Sequence, residues 1–206
     1  MLGTDFFNRD ASLVAREILG KLLCHKVAGI WRRVRIIEAE AYYIHDKASH
    51  ASLGLTESRK ALFMPAGTIY MYYARGGDSF NISCHGEGNA ILIKSGIASL
   101  DNPPEILAQM QRDNPIINRK TGAERLRPIE KLASGQTLLC KSMGLKVRDW
   151  RGKQFEANRL YFEDDGQKPA KIVSAPRLGI PEGRDEHLLL RFLDANHARH
   201  STKGSI

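Results

Sequence analysis

The chain opens with apolar residues at helical spacing. Val14, Ile18 and Leu22 lie four positions apart, as on the buried side of an amphipathic helix. Asp10 or Ser12 can cap the first turn, since either side chain can accept hydrogen bonds from backbone amides that have no partner within the helix. The pattern therefore predicts a helix early in the chain.

Strand-like patterns dominate the chain after this helix. Short apolar or alternating runs, bounded by glycine and polar residues, predict strands over the segments 22–27, 33–43, 67–73, 89–96, 171–180 and 187–193. The glycine-rich residues 74–88 separate the third of these strands from the fourth, which favours antiparallel pairing with a projecting hairpin.

Two further segments carry helical patterns. Residues 102–114 place proline in a first helical turn, where its missing amide is tolerated, and residues 129–145 predict two helices separated at Ser134–Gly135. The polar end of the chain, from about residue 195, is expected to be flexible. Together these elements predict a single α+β domain over residues 1–206. Its mixed, mainly antiparallel and curved sheet is flanked by helices and carries the projecting hairpin.

Composition and charge limit the range of functions that the chain could have. The 206 residues are 42% apolar, which is typical of a folded domain, and the formal net charge is +8. A positive charge suits a polyanion such as nucleic acid or an anionic membrane surface, or it only aids solubility. Three scattered cysteines indicate a reducing compartment. We see no apolar run long enough for a signal peptide or a membrane span, so we expect an intracellular, non-secreted protein of the cytoplasm, nucleoid or nucleus.

The stretch RIIEAEAYY, residues 35–43, places two carboxylates on one side of a strand. Alternation puts Glu38, Glu40 and Tyr42 on the same face, with the two glutamate Cβ atoms about 7 Å apart. Carboxylates at this spacing can share acid and base duties, or one can act as base while the other is structural. The alternative is that both carboxylates simply face solvent at the exposed end of a half-buried strand.

Aromatic residues follow the same alternation. Tyr70 and Tyr72 share one face of the strand IYMYY, and together with Tyr42 they could stack on a planar ligand. Ordinary sheet packing produces the same pattern. The nearby histidines, His45 and His50, match no recognised ligand spacing, so we expect no metal site.

The order of these pieces resembles the alkyladenine (3-methyladenine) DNA glycosylase family. The resemblance rests on EAEAYY, a histidine ten residues after Glu40, FMPAGTIYMY, and FNIS before GEGNAILIK. Matches near the start (DFF, VAREILGKLL), later (LASGQTLLCKSMGL) and near the end (APRLGI, LLLRF) extend it over nearly the whole chain. The glutamate box combined with the GT-x-Y-x-Y segment is a fairly specific combination.

The resemblance implies a role for each matching residue. Glu40 corresponds to the general base that activates a water to attack the anomeric carbon of a flipped nucleotide. Tyr42 and Tyr72 correspond to the two rings that stack on the flipped base, and His50 to a histidine that contacts it. Asn81 corresponds to the asparagine that disfavours the exocyclic amine of normal guanine.

Three positions depart from the family pattern. Arg75 stands where the family wedges a tyrosine into the gap left by the base, so we expect it to intercalate or to contact DNA phosphate. Lys94 replaces an arginine beside the site and keeps its charge, and residues Ser134–Gln136 read SGQ instead of SGP. Glu38, the first acid of the box, is expected to support Glu40.

The implied activity is that of a monofunctional base-excision-repair DNA glycosylase. It would flip alkylated or deaminated purines from duplex DNA, act as a monomer and need no cofactor. Arg75 and Lys94 are candidates for DNA phosphate contacts at motif positions. Four further basic residues are either phosphate contacts or, as the more common case, solvated surface charges: Arg59, Lys60, Lys141 and Arg177. Two alternatives stay open. One is a module that binds lesions or bends with weak or no excision, which is favoured by Arg75 and by a hairpin one residue shorter than in the family. The other is a carboxylate-pair nucleoside hydrolase.

Overall fold

The computed structural model describes residues 1–74 and 76–203. Arg75, predicted to intercalate or to contact DNA, lies outside the described residues. The α-helices are α1 (Thr4–Phe7), α2 (Ala11–Glu17), α3 (Pro104–Asp113), α4 (Gln136–Met143) and α5 (Val147–Trp150). The strands are β1 (Leu22–Val27), β2 (Ile30–Tyr42), β3 (Ile69–Ala74), β4 (Gly77–Ser83), β5 (Ala90–Ala98), β6 (Ile116–Ile117), β7 (Glu124–Arg125), β8 (Leu160–Glu163), β9 (Ile172–Ala175) and β10 (Arg191–Asp194). Short 3₁₀ helices span His50–Leu53, Lys60–Phe63, Ile129–Lys131 and Ala195–His200.

An antiparallel sheet of eight strands forms the centre of the fold. Its strands run in the order β3-β4-β5-β2-β1-β8, while β10 pairs with β2 and β9 pairs with β10. The short strands β6 and β7 form a separate ribbon. Every strand pairing within residues 1–74 and 76–203 is antiparallel. The predicted α+β class with a mainly antiparallel sheet is confirmed.

The longest strand, β2, carries the two glutamates at the middle of this sheet. β5 pairs along one of its edges, whereas β1 and β10 share the other edge. The β2–β5 register shifts twice, which leaves Ile37 without a partner position on β2 and Lys94 without one on β5. Adjacent residues of a regular strand point to opposite faces. The irregularity therefore allows Lys94 to contact Glu40 while its neighbour Ser95 contacts Glu38.

The helix predicted near the amino terminus is α2. Asp10 rather than Ser12 caps it, because the Asp10 carboxylate accepts hydrogen bonds from the amides of Ser12 and the following residue. Gly20 has φ of +86°, and a Cβ there would lie 2.7 Å from the carbonyl oxygen of Gln167. The chain therefore turns at this glycine, and Leu22 begins β1 instead of continuing the helix.

The hairpin contains a strand that the pattern did not predict. Residues 74–88 were expected to be only a connection, but they contain β4, whose residues are all buried. The hairpin is therefore formed by β3 and β4, and β4 separates β3 from β5. Glycine together with Asp78 and Ser79 conceals the strand pattern at the start of β4. Tyr73, near the tip, is 70% exposed.

The second half of the chain follows the predictions for its helices and departs from them at several short elements. α3 and α4 form where helical spacing predicts them, with the break before α4 at Ser134–Gly135. The first of the two helices predicted over residues 129–145 is only the 3₁₀ helix Ile129–Lys131. β8 and α5 were not predicted, and the strand expected over residues 187–193 shortens to β10. Elements of four residues are too short to show a clear period, so tertiary packing decides their conformation.

The segment after β10 packs against the sheet instead of extending from it. Asp194 caps the 3₁₀ helix Ala195–His200 by accepting from the amide of Asn196. Ser201 is buried, and the amide of Thr202 donates to a carboxylate oxygen of Glu38 over 2.9 Å. The sequence suggests flexibility from about residue 195, whereas residues 195–203 are held by hydrogen bonds in the structure.

Candidate active site

A cavity of about 320 Å³ opens where β2 ends. Its lining includes five of the side chains that the sequence singled out, namely Tyr42, His50, Tyr72, Asn81 and Lys94. Tyr70, Leu92 and Gln136 contribute to the remaining wall, together with loop residues from the segments 48–53 and 178–184. Several strands and two loops thus converge on a space large enough for a small planar ligand.

Glu40 lies behind this lining, fully buried on β2. Its Oε2 accepts a hydrogen bond of 2.8 Å from the hydroxyl of Tyr42, and its Oε1 is 3.1 Å from Nζ of Lys94. Oε1 has no well-aligned hydrogen bond from any described residue. Burial, and then the Glu40 charge, hold the pKa of Tyr42 well above its usual value, so the phenol stays protonated and keeps donating to the carboxylate. Oε1 of Glu40 therefore keeps the capacity to accept a further hydrogen bond.

Glu38 has a different environment, although it lies only two residues away. One of its oxygens accepts from Nε of Arg191 at 2.6 Å, and the other accepts from Ser95 Oγ and from the amide of Thr202. Glu38 and Arg191 are both fully buried. This carboxylate is saturated by donors, so its surroundings suit a structural role and leave little capacity for exchanging protons with water.

His50, Tyr70 and Tyr72 form one wall of the cavity. The ring centroids of His50 and Tyr72 are 4.5 Å apart, and Nδ1 of His50 lies 2.8 Å from the Tyr70 hydroxyl. Burial raises the pKa of Tyr70 to about 12. Burial, and then the positive charges of Arg59 and Arg184, lower the pKa of His50. The wall therefore combines a neutral imidazole with the protonated phenol of Tyr70. Sequence reasoning paired Tyr70 with Tyr72 but gave Tyr70 no role in holding His50.

Asn81 reaches the cavity from β4. The β3–β4 register places it opposite Tyr70, and its side-chain Nδ2 donates to the Tyr70 carbonyl oxygen over 3.1 Å. Asn81 is only 6% exposed. The hydrogen bond fixes which way the amide points, so the cavity has a rigid polar group at this position.

The sequence is similar over nearly its whole length to a known family. A family model described as methylpurine-DNA glycosylase matches residues 5–198. The chain belongs to this family. The methylpurine-DNA glycosylases are hydrolases of N-glycosyl bonds, so the enzyme class and the resemblance seen in the sequence are both confirmed.

Relatives of this methylpurine-DNA glycosylase family member match over most of their length. One from Pseudomonas savastanoi pv. phaseolicola is 55% identical over 203 residues, covering 98% of this chain and 89% of the relative. One from Pseudomonas aeruginosa (strain LESB58) is 53% identical, covering 98% of this chain and 83% of the relative. One from Desulfitobacterium hafniense is 32% identical over 186 residues, covering 87% of each. All three carry the provisional name 3-methyladenine DNA glycosylase.

Arg177 does not occupy the position expected of a phosphate contact. Its side chain is buried, and Nη1 donates to the carboxylate of Asp46 and to the carbonyl oxygen of Ala41. The guanidinium carbon lies 4.5 Å from the centroid of the Tyr42 ring. The expectation of a surface phosphate contact is therefore corrected, because a buried cation needs an anionic partner and finds one in Asp46. No sequence motif signalled this pair.

The other basic candidates divide by exposure. Lys94 is 6% exposed and pairs with Glu40, so in this methylpurine-DNA glycosylase fold it belongs to the cavity. Arg59 donates to the carbonyl oxygens of Gly54 and the preceding residue. Lys60 and Lys141 are exposed and accessible to a phosphate.

The described residues contain neither a cluster of metal ligands nor a membrane-spanning helix. Outside Arg75 and residues 204–206, no group of three or more His, Cys, Asp or Glu side chains is arranged to hold a metal ion. His45 instead stacks on Tyr43, with ring centroids 5.5 Å apart. Within the same part of the chain, no helix combines the length and apolar character needed to cross a bilayer.

Proposed function

We propose that this protein is a base-excision-repair glycosylase that takes a flipped, damaged purine into the cavity and hydrolyses its N-glycosidic bond with a water activated by Glu40. Family membership supplies the reaction class. The observation that carries the proposal is the position of Glu40: a buried carboxylate, paired with Lys94, directly behind a cavity walled by tyrosine and histidine rings.

Glu40 has the surroundings that a general base requires. Tyr42 donates a hydrogen bond to Oε2, Lys94 lies beside Oε1, and Oε1 has no well-aligned donor among the described residues. In the proposed step, a water on Oε1 transfers a proton to the carboxylate while its oxygen bonds to the anomeric carbon. The bond from that carbon to the purine nitrogen breaks, and its electron pair leaves with the base. The products are the free purine and an abasic sugar.

The cavity wall supports purine binding. Tyr42 and Tyr72 offer ring faces, and a positively charged alkylpurine would gain ~0.5–2 kcal/mol from contact with them. His50, held neutral by burial, can contact the base through a ring nitrogen. The fixed amide of Asn81 would oppose the exocyclic amine of guanine, which disfavours the normal base.

Duplex DNA that contains damaged purines is the proposed partner, bound by a monomer. The net charge of +8 suits the phosphate backbone, and the β3–β4 hairpin carries the exposed ring of Tyr73. Unpairing and extracting a nucleotide costs a few kcal/mol, and the groups that contact DNA outside the cavity must offset this cost.

The test is release of free base from duplexes that carry one lesion each: 3-methyladenine-type, hypoxanthine or ethenoadenine. Glu40→Gln should abolish release and leave lesion binding largely intact, because the amide keeps the shape of the side chain but cannot take the proton. Glu38→Gln is the matched control, since it makes the same chemical change two residues away on the strand. It should retain measurable release once its thermal stability is taken into account.

Three outcomes would contradict the proposal. Release that survives Glu40→Gln would remove Glu40 as the base. Lesion binding without release from any duplex would favour a binding module. Release from free nucleosides alone would favour a small-substrate hydrolase.

A further inference from the structure

Arg177 lies against Tyr42, a ring that also lines the cavity. Its guanidinium carbon is 4.5 Å from the ring centroid, and its side chain is fully buried. Nη1 donates to Asp46 and to the carbonyl oxygen of Ala41, and Nη2 donates to that of Asp185 over 3.4 Å. These contacts hold a positive charge at a fixed distance from the ring.

The Tyr42 ring separates this charge from the space where a base would bind. Tyr42 is half-buried and contributes to the cavity lining, whereas Arg177 is buried behind it and does not. A purine stacked on the cavity side of the ring would therefore have a tyrosine between itself and the guanidinium. Because the ring keeps water out of the space between them, the guanidinium would repel a positive charge on the purine appreciably.

Other charged groups near the cavity are held in pairs or by backbone. Lys94 pairs with Glu40, and Arg184, which also lines the cavity, donates to the carbonyl oxygen of Lys47. Asp46 offsets the charge of Arg177 through a direct ion pair. Arg177 and Asp46 thus form the charged pair that acts on the cavity through a stacking ring.

We propose that Arg177, balanced by Asp46, determines how the enzyme discriminates between cationic and neutral damaged purines. The face of an aromatic ring attracts a cation through its quadrupole. A cation already on the other face opposes that attraction for a charged purine, and it leaves stacking of a neutral purine largely unaffected. Arg177 is in this sense a specificity-determining residue, and the inference rests on the proposed glycosylase activity.

The test compares single-turnover excision of a cationic N-alkylpurine with excision of hypoxanthine, and uses the ratio of the two rates. Arg177→Gln should raise this ratio about three- to tenfold relative to the unmodified enzyme, since it removes the positive charge behind the ring. Asp46→Asn should lower the ratio, because it leaves the Arg177 charge without its counter-ion. Arg177→Lys keeps the charge and should leave the ratio within about twofold of the unmodified enzyme.

The ratio separates specificity from damage to the fold. Loss of the contacts to Asp46, Ala41 and Asp185 slows both substrates together, which lowers both rates and leaves their ratio unchanged. A constant ratio for Arg177→Gln, or a fall in it, would overturn the inference even if activity dropped. Absence of release from both lesions by the unmodified protein would instead contradict the proposed function itself.

Discussion

At the scale of single residues, chemical identity matters less than the groups that surround a side chain. Glu38 and Glu40 are the same amino acid on one strand, yet Glu38 accepts from three donors, whereas Oε1 of Glu40 has, among the described residues, only the nearby Lys94 ammonium. Alternation along the strand predicts that both point the same way. Alternation cannot predict that Arg191, more than 150 residues later in the chain, donates a hydrogen bond to Glu38. The family resemblance selected Glu40, and the difference in surroundings supports the proposal that Glu40, rather than Glu38, is the base.

The buried histidine His25 predicts how stability depends on pH. Its Nδ1 lies 2.7 Å from the carbonyl oxygen of Met143, and its Nε2 accepts from the indole of Trp150 over 3.2 Å. Both contacts are satisfied by the neutral ring with its proton on Nδ1. Burial lowers the pKa of His25 below its usual value of 6.5. The unfolded chain therefore binds this proton more readily than the folded chain does, and the free energy of unfolding should fall as pH drops below about 6.5.

Urea unfolding between about pH 7.5 and 5 checks this prediction. His25→Gln should show a weaker dependence on pH than the unmodified protein over this window, even if it is less stable throughout. His50→Gln is a useful comparison, since burial also lowers the pKa of His50. The carboxylates of Asp164 and Asp165, whose pKa values are lowered by Lys21 and Arg35, lose their contribution only below about pH 4. Identical slopes for His25→Gln and the unmodified protein would contradict the assignment.

At the scale of elements, strong periodic patterns predict helices and strands well. They do not predict elements whose conformation depends on close contacts with neighbouring segments. The spacing of Val14 and Ile18 predicts α2, and alternation predicts β2 and β3. The sequence pattern does not predict β4, because this strand buries polar residues whose hydrogen-bond partners lie in neighbouring elements: Asp78 accepts from the amide of Val147, and Ser79 contacts Gln136. The bulge that brings Lys94 to Glu40 likewise depends on the pairing of two strands.

Gly96 in β5 tests how closely these strands approach. A Cβ at this position would lie 2.2 Å from Cγ1 of Val34 and 2.8 Å from the carbonyl oxygen of Arg35. Gly96→Ala should therefore force β5 away from β2 and lower the free energy of unfolding by about 1–3 kcal/mol, in addition to slowing base release. Urea unfolding measures the first effect. Gly3→Ala is the control, because no described atom lies within 4 Å of the added carbon, and it should change stability little. Equal stability of the two variants would show that the strands can adjust.

At the scale of the whole molecule, the cavity exists only because distant parts of the chain meet. β2, β3, β4 and β5 supply its rings and polar groups, and loop residues near 50 and 180 close its sides. The final described residues take part too, since Thr202 donates to Glu38. The net charge of +8 belongs to this scale as well, because it acts on a DNA backbone through the summed field of many side chains.

The charge predicts a strong effect of salt on DNA binding. Each phosphate contact should contribute about −0.9 to the slope of log K against log salt concentration, because binding releases condensed counterions. Titrations of a lesion duplex with Glu40→Gln, which we expect to bind without consuming the substrate, measure this slope between about 50 and 200 mM salt. Lys60→Gln or Lys141→Gln should make it shallower by about 1 if the residue contacts phosphate. A flat profile would count against DNA as the partner.

The sequence by itself determined the fold class, the family and the strand positions of several candidate site residues, because periodic patterns and motifs are local properties of the chain. EAEAYY and GTIYMY place Glu40, Tyr42 and Tyr72 on strands whatever surrounds them. Tertiary structure alone decided the pairing of Arg177 with Asp46 and the burial of Lys94 beside Glu40. These contacts join residues that are far apart in the chain, so they depend on register and packing, which no local pattern encodes.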